Sequence, residues 1–255
     1  MLFAVDVGNT NLSLGVFRGD QLVGDWRLKT DREQTVDGWG VLFRNLLSLA
    51  NLELHGVEGM AIASVVPSLD ASLRKMAEKY LNRSPLFLDE DTRTGLTIKI
   101  DNPSEVGADR IANSVAAFER FGGPCVAVDF GTAINFDVIS ANAEYLGGLL
   151  CPGIGVAAEA LFRRTARLPQ IELVEPAKLI GTGTVQALQS GMFYGAVGQL
   201  DGILERLIGE LGPETSVVAT GGQAQMICPG SRYVTEVDEH LTLQGLRLIW
   251  EKNGR

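Results

Sequence analysis

The sequence predicts a duplicated α/β fold: two mixed sheets, each with helices packed on it, and a cleft between the two lobes. Two observations carry this prediction. A short phrase occurs twice, A-V-D-V-G-N-T at residues 4–10 and A-V-D-F-G-T-A at residues 127–133. Each is an apolar run closing in Asp, Gly and small polar residues, the pattern of a buried strand that emerges into a tight turn. Around each copy the elements also repeat in order: three strands, a helix, a strand and a helix. A chain of 255 residues has room for two such lobes.

In the first half, residues 2–7 read as a buried strand, and 12–18 and 21–29 as two more joined at Gly19-Asp20. Helical apolar spacing runs over 35–50 through Val41, Leu42, Leu46, Leu47 and Leu49. A strand over 57–65 follows, then a helix opened by Pro67 and Ser68 that runs to about Leu81, and a short strand at 85–88. The second half gives strands at 124–129, 133–139 and 144–151 and helices at 153–164 and 184–211. Strands at 215–220 and 232–235 and a helix at 239–252 complete it. Between the halves lies 91–123, a polar loop and then a helix from Ile111 to about Arg120. The expected lobes are 1–120 and 121–255.

Composition narrows the function classes. The formal charge is −9 and no Lys/Arg block stands out, so a basic nucleic-acid footprint is absent. The opening M-L-F-A-V-D lacks a basic n-region, and no stretch reaches the length of a membrane span, so a cytoplasmic protein without a membrane partner is expected. The three cysteines, Cys125, Cys151 and Cys228, are far apart and lack zinc spacing; reduced thiols are expected.

Four segments carry the chemistry. The stretch 6–13, D-V-G-N-T-N-L-S, offers backbone N–H groups around Gly8 and hydrogen-bonding side chains at Thr10, Asn11 and Ser13. That composition cradles phosphate; it also makes an ordinary polar hairpin. The stretch 129–135, D-F-G-T-A-I-N, repeats the logic, with Asp129 as a cation holder and Gly131-Thr132 beside a phosphate. Neither copy contains Lys or Arg, so a bound polyphosphate calls for metal ions and backbone dipoles. The double glycine Gly221-Gly222 permits close approach of a flat group such as a nucleotide base, or is a plain β–α turn. In E-V-G-A-D-R-I-A-N at 105–113, Arg110 can grip an anion and Asp109 can accept a proton; as a first-turn acid and a solvated Arg the pair would be purely structural.

Taken together these motifs resemble the acetate and sugar kinase/Hsc70/actin superfamily, with its duplicated ribonuclease H-like (actin-like ATPase) fold. The set D-V-G-N-T-N, N-P-x-x-x-G-A-D-R, V-D-F-G-T-A, G-G-x-x-x-P-G-I and G-T-G-T-x-x-x-x-x-S-G resembles type III pantothenate kinase over essentially the whole chain. The resemblance implies phosphorylation of pantothenate by ATP, the opening step of coenzyme A synthesis. It implies an ATP phosphate loop of Asp6, Val7, Gly8, Asn9, Thr10, Asn11, Leu12 and Ser13, with further ATP contacts at Thr132, Gly221 and Gly222. It implies Asp109 as proton acceptor and a pantothenate segment of Gly107, Ala108, Asp109 and Arg110 with Thr184. Asp129 would bind a monovalent cation, potassium or ammonium, and Asp6 would position Mg²⁺, directly or through water. A homodimer is implied, with Thr184 near its interface. Two positions depart from the family pattern: Ile100 stands where a substrate-contacting Tyr is usual, and the second motif continues Ala133-Ile134-Asn135.

Two other readings follow from the same residues. Ile100 keeps open a kinase of this fold acting on another small hydroxy acid, which a substrate panel would reveal. A non-catalytic accessory factor for gene regulation is the third, and the intact carboxylates at 6, 109 and 129 count against it.

Overall fold

A computed structural model of the chain describes residues 1–254. It divides into two compact units, one of Met1–Leu96, Asp101–Ala116 and Leu241–Arg255, the other of Thr97–Ile100 and Ala117–His240.

The first unit is a mixed five-stranded sheet. β1 (Leu2–Val7), β2 (Asn11–Arg18) and β3 (Gln21–Lys29) form an antiparallel meander. β4 (Gly59–Ser64) lies parallel to β1 and β5 (Leu86–Phe87) parallel to β4, giving the order β3-β2-β1-β4-β5. α1 (Val36–Leu49) and α2 (Pro67–Met76) cover one face. The Thr35 hydroxyl caps α1 by accepting from the Gly38 N–H at 3.0 Å. Trp39, Phe43 and Leu47 of α1 and Leu69, Leu73 and Met76 of α2 pack with Phe3, Val5, Leu12, Leu14 and Ile62 in one core. α2 runs on through a π turn over Ala77–Leu81, so the single helix expected to Leu81 changes its winding for its last turn. The opposite face presents smaller residues, Leu2, Ala4, Ala61 and Ala63. α3 (Ala108–Phe121) and α7 (Leu241–Lys252) lie on it through Ala112, Val115, Leu243, Leu246 and Ile249. Gly245 lets α7 meet the α3 backbone, because a Cβ there would run into the Ala112 carbonyl.

The second unit repeats the plan. β7 (Cys125–Phe130), β8 (Ala133–Ile139) and β9 (Glu144–Pro152) form the meander, and β10 (Ser216–Gly221) and β11 (Glu236–Val237) add in parallel. The order β11-β10-β7-β8-β9 matches the first sheet, with β6 (Thr97–Ile98) added beyond β9. α4 (Ile154–Arg164), the 28-residue α5 (Thr184–Leu211) and the short α6 (Ala224–Ile227) flank it. Phe193, Leu200 and Leu204 of α5 close the core on Val126, Val128, Phe130 and Phe136.

Two expectations are corrected. The last strand was expected at 232–235 and forms at Glu236–Val237. Residues 231–235 are held largely by side chains: Asp201 accepts from the Ser231 hydroxyl at 2.6 Å and from Arg232 Nε at 2.9 Å, and the Thr235 hydroxyl and N–H donate to the Val217 carbonyl at 2.6 and 2.9 Å. Sequence periodicity also missed β6, two residues in a loop that pair with Glu144 and Tyr145. As for a cut at 120/121, the compact units divide inside α3, at Ala116/Ala117, and α7 returns to the first unit.

Candidate active site

In the first unit the C-terminal ends of β1 and β4 lie side by side, the position at which open α/β sheets bind ligands. Between β1 and β2 the chain reverses over Gly8–Thr10. The Gly8 N–H donates to the Asn11 carbonyl at 3.0 Å, and a Cβ on Gly8 would sit 2.9 Å from that oxygen. Outside the turn, Thr30 braces it twice. Its hydroxyl donates to the Gly8 carbonyl at 2.6 Å, and its N–H donates to the Thr10 carbonyl at 3.0 Å. Asn9 and Thr10 are exposed and Asp6 is half-buried, directly across from Ser13. Val7 and Leu12 are fully buried in the core, so only their backbone groups face the turn. This refines the expected eight-residue loop.

The segment 107–110 reaches the same sheet edge. Val65, just beyond β4, donates its N–H to the Val7 carbonyl at 3.0 Å. A Cβ on Gly107 would lie 3.4 Å from Val65 Cγ1 and 2.5 Å from Asp109 Oδ1. The Asp109 carboxylate is therefore folded over Gly107, and a larger residue at 107 would displace it. Asp109 Oδ1 accepts from the Arg110 N–H at 2.8 Å in the first turn of α3. Burial raises the Asp109 carboxyl above its ordinary 3.8, while the Arg110 N–H and guanidinium pull the other way without cancelling it.

In the second unit, Asp129 is the penultimate residue of β7 as Asp6 is of β1. The Gly131 N–H donates to the Ala133 carbonyl at 2.9 Å. The Gly153 N–H donates to the Thr132 carbonyl at 3.0 Å, seating the start of α4 on this turn. Gly221 has φ +94°, and a Cβ there would lie 2.5 Å from Asp129 Oδ1 and 2.6 Å from Phe130 N and O. Only glycine fits that conformation beside the carboxylate without strain. The Gly222 N–H completes the junction, donating to the Phe130 carbonyl at 3.1 Å.

The register gives the last residue of the second motif a definite place. Asn135 pairs directly with Asp129, and its Oδ1 is buried and accepts no hydrogen bond. Gln223 Oε1, just past the double glycine, is in the same condition. Strand pairing was the signal for Asn135: once residues 129 and 135 face each other, their side chains share one side of the sheet.

Ile100 and Thr184 sit elsewhere in the second unit. Ile100 lies past β6, its Cγ2 3.3 Å from where a Gly147 Cβ would be. Thr184 is exposed at the head of α5, behind a turn in which Gln186 Oε1 accepts from the Thr182 N–H at 3.2 Å and hydroxyl at 3.0 Å.

Among the described residues there is no group of three His, Cys, Asp or Glu that could cage a metal.

Two strands that carry Asp one residue before a glycine turn, in two copies of one sheet order, make up the duplicated ribonuclease H-like (actin-like ATPase) fold. Comparison with known proteins agrees. The profile of type III pantothenate kinase matches residues 2–206. A type III pantothenate kinase from Solibacter usitatus is 55% identical over 99% of this chain and 97% of its own. Among solved structures, a protein described as a Baf-family transcriptional activator from Campylobacter jejuni superposes with TM-score 0.61 at 22% identity, over 99% of this chain and 98% of its own. The ethanolamine utilization protein EutJ from Carboxydothermus hydrogenoformans does so with TM-score 0.55 at 16% identity, over 97% and 89%. These two likenesses speak for the fold alone. The chain belongs to the type III pantothenate kinase family, which phosphorylates pantothenate with ATP in the first step of coenzyme A synthesis.

Proposed function

We propose that Asp109 is the proton acceptor for the pantothenate hydroxyl. The observation that carries this is its carboxylate, half-buried, folded over Gly107 and linked through Val65 to the phosphate turn at Val7. A carboxyl whose pKa is raised by burial is a better base than an exposed one. Arg110 and the backbone of Gly107 and Ala108 hold the polar substrate, with Thr184 and Ile100 as further contacts. Residues 6–13 and Thr132 hold the ATP phosphates, and Gly221-Gly222 border the nucleotide.

The donor set supports two cations. Asp6 positions Mg²⁺, directly or through water; when bound, Mg²⁺ neutralises phosphate charge. Asp129, with the oxygen of Asn135 beside it, suits a monovalent cation such as potassium or ammonium, which takes hard oxygen ligands. Catalysis by the chain itself is then positioning and electrostatics.

The second unit supports the proposed homodimer. Leu150 is 64%, Leu179 64% and Ile180 80% exposed, with Phe162 of α4 and Leu146 and Leu149 of β9 also open. A second copy is the occupant, and sedimentation of Leu150→Asp against the parent chain tests it. A cytoplasmic setting fits the three free cysteines; burial pushes the Cys125 and Cys228 thiols up to about 12, so they are not reactive. Among the described residues no helix is long and apolar enough to cross a membrane. The test of the whole reading is a coupled assay with ATP and pantothenate, with and without potassium. Turnover that is undiminished in Asp109→Asn would overturn the assignment of the base.

A further inference from the structure

The first phosphate turn brings no positive charge of its own, since Asp6 to Ser13 contains neither Lys nor Arg. The structure brings that charge in from the neighbouring strand. Ser13 pairs with Asp6 on one side and with Arg27 on the other, and Asn11 pairs with Lys29. Residues directly opposite in an antiparallel ladder project to the same face. Arg27 and Lys29 therefore stand on the Asp6 side of the sheet. Past the strand end, beyond the Thr30 brace, the chain turns back. Arg32 Nη2 donates to Asn9 Oδ1 at 2.9 Å, at the tip of the turn.

All three cations are exposed, and among the described residues none makes an ion pair. The acids beside Arg32 do not engage it: Asp31 Oδ1 accepts the Glu33 N–H at 3.0 Å. β3 is an edge strand, and charged residues on an edge discourage pairing with other chains. That role accounts for Arg27 and Lys29. It does not account for Arg32, which lies off the strand and is tied to Asn9.

We propose that Arg32, supported by the field of Arg27 and Lys29, grips the outer phosphates of ATP. One guanidinium N–H is spent on Asn9, which orients the fork, and the others remain for phosphate oxygens. This inference rests on residues 6–13 being the ATP phosphate turn.

The test is initial-rate kinetics on the full chain, with ATP and pantothenate varied separately at two salt concentrations. Arg32→Gln is expected to raise KM for ATP roughly 10–100-fold, the worth of a charge-assisted contact. KM for pantothenate and the thermal midpoint should not move, and the salt dependence of KM for ATP should flatten. Arg32→Lys should recover part of the loss, since it restores charge without the fork. Arg27→Gln with Lys29→Gln should give a smaller, salt-sensitive rise. Gly8→Ala, or Thr10→Ala if the first does not fold, separates the two levels of the argument. If the turn variant raises KM for ATP and Arg32→Gln does not, the Arg32 role is overturned. If neither does, the reading of the turn falls, and the Arg32 role with it.

Discussion

The two Asp-Gly turns begin from nearly the same words and end as different devices. In the first, the strand pairs Val7–Leu12 and Asp6–Ser13 enclose four residues, Gly8 to Asn11; in the second, Phe130–Ile134 enclose three, Gly131 to Ala133. Asp6 faces a hydroxyl, and Asp129 faces an amide oxygen that has no other partner. The first turn is braced from outside by Thr30 and reached by Arg32. The second is closed on both sides, by Gly153 at the head of α4 and by Gly221 against its carboxylate. A duplicated strand–turn–strand thus yields an open turn, which suits the proposed phosphate site, and a closed one, which suits the proposed cation site. The difference resides in what packs around the turn, because the Asp and Gly are common to both.

The largest expected effect tests where the chemistry sits relative to these turns. Asp109→Asn should lower kcat on the order of 10²–10⁴-fold while leaving nucleotide binding intact. Because Asp109 must be ionised to accept a proton, kcat/KM should fall as pH drops through its carboxyl. Burial raises that carboxyl, so the acid limb should lie above the ordinary 3.8, and it should vanish in Asp109→Asn. A pH–rate profile of both proteins checks this.

Next comes the exchange of roles between the two carboxylates. Asp129→Asn and Asn135→Leu should each weaken potassium activation, roughly 10–100-fold in apparent affinity, and leave the magnesium requirement as it was. Asp6→Asn should do the converse. Cation titrations that shift identically for Asp6→Asn and Asp129→Asn would erase the distinction. A smaller effect is expected of Gly221→Ala. It forces a side chain into positive φ and onto Asp129, costing about 1–3 kcal/mol of stability, with potassium activation lost in parallel. Thermal unfolding and the same titration measure both. The smallest is Thr30→Val, which removes one hydrogen bond to Gly8, worth about 0.5–1.5 kcal/mol. It should raise KM for ATP a few-fold and leave the potassium response unchanged; a potassium shift would mean the turns are not separate devices.

The strand ends, and with them Asp6 and Asp129, were legible in the sequence because each closes a fully apolar run. Gly107 and Asp109 were legible as a motif, but the reason for the glycine was not: it is the space taken by the carboxylate. Asn135 was legible as the polar end of the second motif, but its place opposite Asp129 needed strand register. Arg32 lies 19 residues beyond Ser13 in a polar stretch without periodicity, so only the fold connects it to the turn. The misplaced last strand has a similar cause. Residues 232–235 carry strand-forming side chains, and Asp201, from the middle of a distant helix, captures the backbone before the ladder begins.

α7 gives the molecule a timetable. The face of the first sheet formed by Leu2, Ala4, Ala61 and Ala63 is covered by residues Leu243, Leu246 and Ile249. A ribosome makes those after the whole of the second unit. The earliest strands must therefore wait, that face met by α3 alone, until the second unit has been synthesised and α7 is released to cover them. A chain stopped before Leu241 would keep every residue of both turns and still leave the first sheet unfinished.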